Sequence, residues 1–339
     1  MSGVSPVMMS GNRSGAVRGA ALGAGLSIAF DDAQLQSSFD YCRDVARRRA
    51  RNFYYGMKLT PEPKRSALYA IYAWNRAVDD MADGAVGKTV PSNDAEIKSD
   101  QLEQFREHTR LALDPAAPLE VDVYGRYSRM WPAVACTLRS FNISGSYLDQ
   151  MVDGQLLDQT RTRYETFEQL YDYCYKVASV VGLTCIEIWG YEGDGETKKL
   201  AEYRGIGLQL TNILRDLRED AQRDRVYIPA SALARHGYDT QSFLDQLKRR
   251  EPEGRFERLI LELTDCARGY YQRSAGLEAR LVPNCRSACW AIMYIYRQLL
   301  ERMASRPADV MTRRVRLSSL QKAWIALRAA RGKRAGAGL

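Results

Sequence analysis

Apolar residues recur every three to four positions along almost the whole chain after residue 35, whereas strict alternation of apolar and polar residues is nearly absent. This spacing places one apolar stripe on an α-helix, so the pattern predicts helices rather than strands. The only short extended candidate is RVYIP at residues 225–229. Helices are predicted over residues 34–59, 60–84, 94–113, 125–142, 145–159, 166–190, 195–223, 254–281 and 284–305.

The helical pattern shows no repeat of fixed length, and the interval at residues 240–254 is predicted to be a loop or a short helix rather than a domain boundary. We therefore predict one all-α domain over about residues 35–330, with a core formed by long helices. Thr60 is expected to cap the second helix, with Pro61 at its first position. Residues 1–34, rich in Gly, Ser and Ala, are predicted to be a disordered extension, and residues 331–339 a flexible basic tail.

Composition excludes several classes of protein. The 339 residues are 45% hydrophobic and 27% charged, which allows a large core and argues against a largely disordered chain. Seven cysteines without a CxxC motif, together with only two histidines, argue against a zinc site or a disulfide framework. We predict a reducing, cytoplasmic location. No apolar run approaches the ~20 residues that a membrane-spanning helix needs.

The net charge of +8 is concentrated at the C-terminal end. From Arg313 onward the chain has eight basic residues and no acidic one. One interpretation is a solvated basic end that binds no partner. The other is contact with a membrane surface, because an apolar face could lie beside these cations. That face would contain Val315, Leu317, Leu320, Trp324, Ile325 and Leu327.

Two predicted helices each carry a row of oxygen-bearing side chains. The first ends in DDMAD, in which Asp79 and Asp83 are four residues apart and Asp80 lies between them. The second contains Asn212, Asp216 and Asp220, again at steps of four, and Gln209 shares their side of the helix. Because steps of four keep side chains on one face, each row should face one way while apolar residues cover the other face.

The chemistry of these rows indicates a metal-bound diphosphate. Carboxylate and amide oxygens without His or Cys suit Mg²⁺, which retains waters and shares phosphate oxygens. Arg76 precedes the first row and Arg215 and Arg218 lie within the second, and arginine binds phosphate with two parallel hydrogen bonds. A single DDxxD is more often a solvated helix face. Two rows on separate apolar helices favour the diphosphate site.

The stretches DDMAD, GIGLQLTNILRDLRED, RDRVYIP and YCYKVASVVG resemble the squalene/phytoene synthase family of head-to-head prenyl transferases. The resemblance covers about residues 38–325. It implies an all-α isoprenoid-synthase-type helical bundle around a central cavity, with about two or three Mg²⁺ ions held between two aspartate-rich helices. It also implies prenyl diphosphates as substrates.

The resemblance assigns roles to individual residues. Asp79, Asp80 and Asp83 match the first metal motif, and Asn212, Asp216 and Asp220 match the second. Asp79, Asp83, Asp216 and Asp220 are thereby also implied as catalytic, together with Tyr173, which matches a tyrosine that stabilises a carbocation or moves a proton. A buried aromatic residue with a packing role is the alternative for Tyr173. The residues that match substrate-binding positions are Phe53, Tyr54, Tyr72, Arg76, Gln209, Arg215 and Arg225.

The sequence differs from the family pattern in two places. Asn52 stands where the family usually has Ser, and Ser179 where it favours Gly. The pattern GQLLD, which contains Gly154 and Asp158, matches a further family motif.

The implied reaction joins two farnesyl diphosphates into presqualene diphosphate or a squalene-type C30 product. The form NILRDLRED and the opening NFYYGMKLTPEPKR favour this length, and two geranylgeranyl diphosphates giving C40 phytoene are the alternative. The chain has no GxGxxG fingerprint after a strand, so we do not expect NADPH as a cofactor. A terpene cyclase shares the metal motifs and remains a further alternative. Nucleic-acid binding through the basic end would leave both acidic rows unexplained, and we expect none.

Overall fold

The computed structural model describes residues 30–50, 52–84, 94–193 and 195–332, and in these ranges the chain is helical with short connections. The predicted all-α class is therefore confirmed. In the same ranges, β-type pairing is limited to isolated bridges, one of which joins Val226 in the predicted extended stretch to Arg163. The helices are α1 Asp32–Arg49, α2 Asn52–Met57, α3 Lys64–Ala82, α4 Asp94–Leu113, α5 Trp131–Ser140, α6 Gly145–Thr160, α7 Phe167–Cys174, α8 Val180–Trp189, α9 Gly195–Gln222, α10 Ala230–Arg235, α11 Thr240–Arg249, α12 Gly254–Arg273, α13 Leu277–Arg280, α14 Arg286–Ser305, α15 Asp309–Thr312 and α16 Ser319–Ala330.

The two helices that carry the acidic rows are the centres of packing. Helix α3 packs against α1, α4, α5, α6 and α8, and α9 packs against α8, α12 and α14. The apolar stripe of α3 is fully buried, and its Trp74 indole donates a hydrogen bond of 3.0 Å to the Thr109 hydroxyl of α4. A buried indole N–H needs such a partner. Burial of one face of each helix leaves the other faces of α3 and α9 to line the space between them.

Two boundaries near the N-terminus differ from the prediction. The helix predicted over residues 34–59 is divided into α1, which already begins at Asp32, and the short α2. Helix α3 begins at Lys64, so Thr60 is not its cap. The Thr60 hydroxyl instead accepts a 3.1 Å hydrogen bond from the Trp189 indole at the end of α8. This long-range contact satisfies two buried polar groups, which outweighs the local preference of threonine for a cap. Residues 1–29 of the predicted extension and 333–339 of the predicted tail lie outside the described residues.

The predicted helix at 166–190 contains a π-helical turn at Tyr175–Ser179, between α7 and α8. This turn packs directly against α9 at Gly205. A Cβ atom at residue 205 would lie 2.4 Å from the Ser179 Cα atom, so only glycine allows the two backbones to approach this closely. The Ser179 hydroxyl donates a 2.8 Å hydrogen bond to the Glu202 carbonyl oxygen. The turn therefore fixes the register of α7 and α8 against α9. Such π-turns are frequent at functional sites.

The C-terminal segment divides the apolar face that was predicted for it. Val315, Leu317 and Ile325 are buried against the rest of the protein. Leu320, Trp324 and Leu327 are exposed on the outer side of α16. None of the helices within the described ranges is both long enough and apolar enough to cross a bilayer.

Candidate active site

A cavity of about 490 Å³ lies between α3, α6, α8, α9 and α14. The lining changes character along both central helices. On α3 it runs from Leu68 and Ile71 to Asp79, and on α9 it runs from Leu208 to Asp220. The cavity therefore has an apolar part and an acidic part. Its further apolar lining comes from Met57, Met151, Val177, Val181, Ile186, Trp189, Ile213, Leu277, Ile292 and Met293.

The acidic part combines the two predicted rows. Asp79 and Asp83 line it from α3, and Asn212, Asp216 and Asp220 line it from α9. The rows approach each other at the helix ends, where an Arg223 guanidinium nitrogen lies 3.6 Å from an Asp83 carboxylate oxygen. The structure thus brings together five of the six predicted metal ligands.

A further carboxylate joins the rows from α6. Asp158 lines the same part of the cavity and accepts a 2.7 Å hydrogen bond from the Tyr227 hydroxyl. An Arg225 guanidinium nitrogen lies 3.1 Å from its other oxygen. The predicted catalytic Tyr173 also lines the cavity, and its hydroxyl donates a 3.4 Å hydrogen bond to the Tyr227 hydroxyl. Tyr173, Tyr227 and Asp158 therefore form a hydrogen-bonded chain along the cavity wall.

Arginines from two parts of the chain bind Asp216. Arg215 donates to both carboxylate oxygens, at 2.9 and 2.6 Å. Arg314, from the segment between α15 and α16, reaches the same two oxygens at 2.9 and 3.1 Å. A third nitrogen of Arg314 lies 3.0 Å from Glu219. Guanidinium groups held at the acidic part of the cavity are suited to bind a diphosphate by paired hydrogen bonds.

Known proteins with similar sequences belong to one family of enzymes. The sequence model described as Squalene/phytoene synthase matches residues 46–321. Phytoene synthase from Mycobacterium tuberculosis is 35% identical over 86% of this chain and 90% of that protein. The chain belongs to the squalene/phytoene synthase family. Members of this family are prenyltransferases that condense prenyl diphosphates head to head.

Two other similarities involve members of the same family. The 15-cis-phytoene synthase of Synechococcus elongatus is 31% identical over 86% of this chain and 91% of that protein. A crystal structure of squalene synthase from Alicyclobacillus acidocaldarius superposes with a TM-score of 0.69 at 23% identity, covering 82% of this chain and 97% of that one. The structural similarity shows the isoprenoid-synthase fold that the sequence predicted.

In the present chain, Asp80 does not face the cavity. One carboxylate oxygen accepts hydrogen bonds from Arg76 and, at 3.2 Å, from Arg49. The other accepts from Tyr127 and, at 2.8 Å, from Arg126. Neighbouring residues on a helix project about 100° apart, so Asp80 is turned away from Asp79. The structure therefore does not place Asp80 with the other predicted metal ligands, and its carboxylate instead holds the Arg76 guanidinium.

The predicted substrate-binding residues divide between the cavity and its surroundings. Phe53, Tyr72, Arg76 and Gln209 line the cavity. Tyr54 does not, because its ring stacks on Tyr69 with the ring centroids 6.0 Å apart, on the side of α2 that faces α1 and α3. The structure therefore does not bring Tyr54 to the cavity with the other predicted substrate-binding residues. The remaining two, Arg215 and Arg225, contact the cavity indirectly, through Asp216 and Asp158.

Several polar residues of the site were not among the predicted site residues. Gln155 of α6 lines the cavity and donates a 3.0 Å hydrogen bond to Asp79. Asp158 follows it by one turn and lies in the GQLLD pattern, which was a usable signal. Arg314 had no signal beyond its membership of the basic C-terminal run, because it reaches Asp216 across 98 residues of sequence.

Enclosure in the cavity changes the acidity of its carboxyl groups. Burial raises the pKa of Asp79 to about 6, and Asp83 and Asp158 add to this increase while Arg76 opposes it. Burial likewise raises the pKa of Asp220 to about 7, with further increases from Asp216 and Asp158. Loss of hydration disfavours the charged form, and neighbouring negative charges disfavour it further. A divalent cation bound between these carboxylates would offset their mutual repulsion and favour their charged forms.

The contribution of Asp79 and Asp220 to the stability of the protein, measured without divalent cations, is expected to fall as the pH rises from about 4 to 7. Asp side chains in the unfolded chain titrate near 3.9, so the folded protein retains protons in this window that the unfolded chain has released. Asp220→Asn should flatten the dependence, because amide at this position carries no buried charge. Thermal melting from about pH 4 to 8 without divalent cations measures the effect. Asp245→Asn on the surface of α11 is the control, and an equal slope in Asp220→Asn and wild type would contradict the prediction.

Proposed function

We propose that this chain is a Mg²⁺-dependent enzyme that joins two identical prenyl diphosphates head to head. The supporting observation is the opposition of two oxygen-bearing rows, on α3 and α9, at one part of an otherwise apolar cavity. The apolar part suits two prenyl chains, and the acidic part suits their diphosphates together with metal ions.

The donor set fits magnesium. Asp79, Asp83, Asn212, Asp216 and Asp220 supply only oxygen atoms. The Asn212 side-chain oxygen is buried and has no hydrogen-bond partner within the described part of the chain, as expected of an acceptor left for a cation. In that same part, no three acidic, His or Cys side chains converge as a complete metal cage. Mg²⁺ needs no such cage, because substrate phosphate oxygens and water complete its shell.

Bound Mg²⁺ supplies charge neutralisation that helps diphosphate to depart. The arginines act on the same group. Arg76 lines the cavity and is held in place by Asp80, while Arg215, Arg225 and Arg314 now bind carboxylates of the acidic part. If these carboxylates held a metal ion, the guanidinium groups of Arg215, Arg225 and Arg314 would be free to bind the diphosphate oxygens.

The cavity wall protects the cation that forms next. Breaking the C1–O bond of one substrate sends its electron pair to diphosphate and leaves an allylic cation. The C2–C3 double bond of the second substrate then attacks C1 of the cation. Loss of a proton, which the departed diphosphate can accept, closes a cyclopropane, as the family's first half-reaction implies. The surrounding apolar side chains exclude the water that would quench the cation.

Two substrate lengths fit this mechanism. Farnesyl diphosphate, favoured by the motif forms NILRDLRED and NFYYGMKLTPEPKR, gives presqualene diphosphate or another C30 product. Geranylgeranyl diphosphate gives C40 phytoene, and it is favoured by the names of the relatives from Mycobacterium tuberculosis and Synechococcus elongatus. Neither phytoene nor a product that stops at the cyclopropyl diphosphate requires NADPH.

The deciding experiment incubates the purified protein with each prenyl diphosphate and Mg²⁺, with and without NADPH, and measures product mass. A product with twice the carbon number of its substrate, formed without NADPH and abolished by EDTA, is the expected result. Consumption of one substrate molecule per product molecule would show a terpene cyclase and overturn the proposal. The relative kcat/KM for the C15 and C20 substrates assigns the chain length.

We expect Tyr173→Phe to lower kcat by about 10²-fold with little change in KM, because the hydroxyl rather than the ring face is then lost. Burial raises the pKa of this hydroxyl well above its ordinary value, so it remains a proton-bearing dipole at the cavity wall. Single-turnover measurements with the preferred substrate separate this step from product release. Tyr164→Phe is the control, since Tyr164 is also buried beside Tyr227 but does not line the cavity. Unchanged turnover in Tyr173→Phe would leave Tyr173 a packing residue.

A further inference from the structure

Helix α16 presents an apolar stripe to solvent. Leu320, Trp324 and Leu327 are 83%, 56% and 48% exposed, and their spacing of four and three places them on one side of the helix. The opposite side holds Ile325 and Ala329, both buried, and the Ala329 carbonyl accepts a 3.0 Å hydrogen bond from Ser287 of α14. The helix is thus fixed to the protein by one face while the other carries large apolar side chains into water.

This concentration of exposed apolar side chains is unusual for the molecule. The other large hydrophobic residues that are exposed in the described ranges, Leu111 and Leu261, lie singly on α4 and α12 and are only 37% and 39% exposed. Single exposed leucines are ordinary, whereas a contiguous apolar patch marks an interaction site. The stripe on α16 is therefore expected to bind an apolar partner.

The charges around the stripe indicate which partner. Arg331 is exposed at the C-terminal end of α16, and Arg316 is exposed just before the helix. The Arg328 guanidinium lies 5.5 Å from the Trp324 ring. No acidic residue occurs after Asp309. Two copies of this face would bring like charges together, whereas an anionic bilayer supplies both an apolar layer and negative headgroups.

We propose that α16 docks the protein on an anionic membrane surface. Leu320, Trp324 and Leu327 enter the boundary between headgroups and acyl chains, and Arg316 and Arg331 bind lipid phosphates. Helix α16 packs against α2, which carries the cavity residue Phe53. Docking therefore brings one wall of the cavity close to the lipid. If the proposed function holds, an apolar C30 or C40 product can then leave toward the bilayer.

The test is flotation of the full-length protein with phosphatidylcholine vesicles, with and without about 30% phosphatidylglycerol, at low and high salt. Wild type should float with the anionic vesicles, and high salt should weaken this binding. Combined Leu320→Ser, Trp324→Ser and Leu327→Ser should lower the partition coefficient by on the order of tenfold or more. Arg316→Gln with Arg331→Gln should reduce the dependence on phosphatidylglycerol. Leu111→Ser with Leu261→Ser is the matched control and should bind like wild type.

Two measurements show whether the triple variant remains folded and active. The melting temperature and the Mg²⁺-dependent release of diphosphate in detergent should be unchanged in the triple variant, since its three side chains lie outside the core and the cavity. Failure of wild type to bind the anionic vesicles, or equal binding by the triple variant, would overturn the proposal. Concentration-dependent dimerisation of wild type that the triple variant loses, without vesicle binding, would assign the stripe to a second copy and also overturn it.

Discussion

Asp79→Ala is expected to lower the rate of prenyl diphosphate condensation by at least about 10³-fold, because metal-assisted charge stabilisation supplies most of the catalysis in such a site. Asp79 lines the cavity beside Arg76, and its carboxylate accepts a 3.0 Å hydrogen bond from Gln155. Burial raises the pKa of its carboxyl group to about 6, so the charged form is disfavoured in the metal-free fold. The substitution should therefore leave the metal-free melting temperature unchanged or raise it slightly at pH 8.

Asp216→Ala should reduce the rate of condensation as strongly as Asp79→Ala, but the two variants should differ in thermal stability. Its removal leaves Arg215 and Arg314 without the carboxylate that both bind, so the protein should melt at a lower temperature than Asp79→Ala. Initial rates, Mg²⁺ titration and thermal melting of both variants test the pair. Asp245→Ala on α11, outside the cavity, is the control for loss of a carboxylate. Wild-type rates in both site variants would end the proposal that the two rows hold the catalytic metal.

Gly205→Ala is expected to lower the free energy of unfolding by about 1–3 kcal/mol, because the added methyl group meets backbone rather than a flexible side chain. Its Cβ would lie 2.4 Å from the Ser179 Cα and 2.7 Å from the Ser179 nitrogen. The π-turn would have to move away from α9. Since Tyr173 and Val177 line the cavity from that part of the chain, kcat should fall together with stability.

Denaturant unfolding and thermal melting measure this effect, and α12 offers the matched control. Gly269 is also inside a helix, but a Cβ at residue 269 would meet nothing within 4 Å. Gly269→Ala should therefore raise stability by up to about 1 kcal/mol through its better helix propensity. Equal effects of the two substitutions would show that the close approach of α9 and the π-turn has no energetic importance.

Helical periodicity was sufficient to predict which faces of α3 and α9 meet at the site. Asp79 and Asp83 on one helix, and Asn212, Asp216 and Asp220 on the other, share a face because steps of four residues return almost to the same direction. All five line the cavity. The position of these five residues on their helices depends only on local helix geometry. It can therefore be predicted from a single sequence.

Adjacent residues in a motif were harder to assign. Asp80 and Tyr54 each follow a residue that lines the cavity, and each was assigned to the site with its neighbour. One step along a helix turns a side chain by about 100°, which directs Asp80 to Arg49, Arg126 and Tyr127 and Tyr54 to Tyr69. Consecutive residues of a sequence motif therefore need not lie on the same face of the helix.

Contacts across long sequence separations could not be predicted. The break between α1 and α2, the π-turn and the bond from Trp189 to Thr60 all depend on which segments pack together. Arg314 is the clearest case, since nothing in the sequence around it distinguishes it from Arg313, which pairs locally with Asp309. Tertiary packing alone selects which of the two reaches the cavity.

The contacts of the segment between α15 and α16 have a practical consequence for protein engineering. Arg218 of α9 donates a 2.7 Å hydrogen bond to the Thr312 carbonyl, and Arg314 continues the connection to Asp216. Helix α16 in turn covers part of α14 and α2. A shortened enzyme that ends after α14 would lose a cation of the active site and uncover two helices that border the cavity. Truncations and fusion points should therefore be placed beyond Ala330, and a version ending near Ser305 should accumulate as an insoluble or inactive protein.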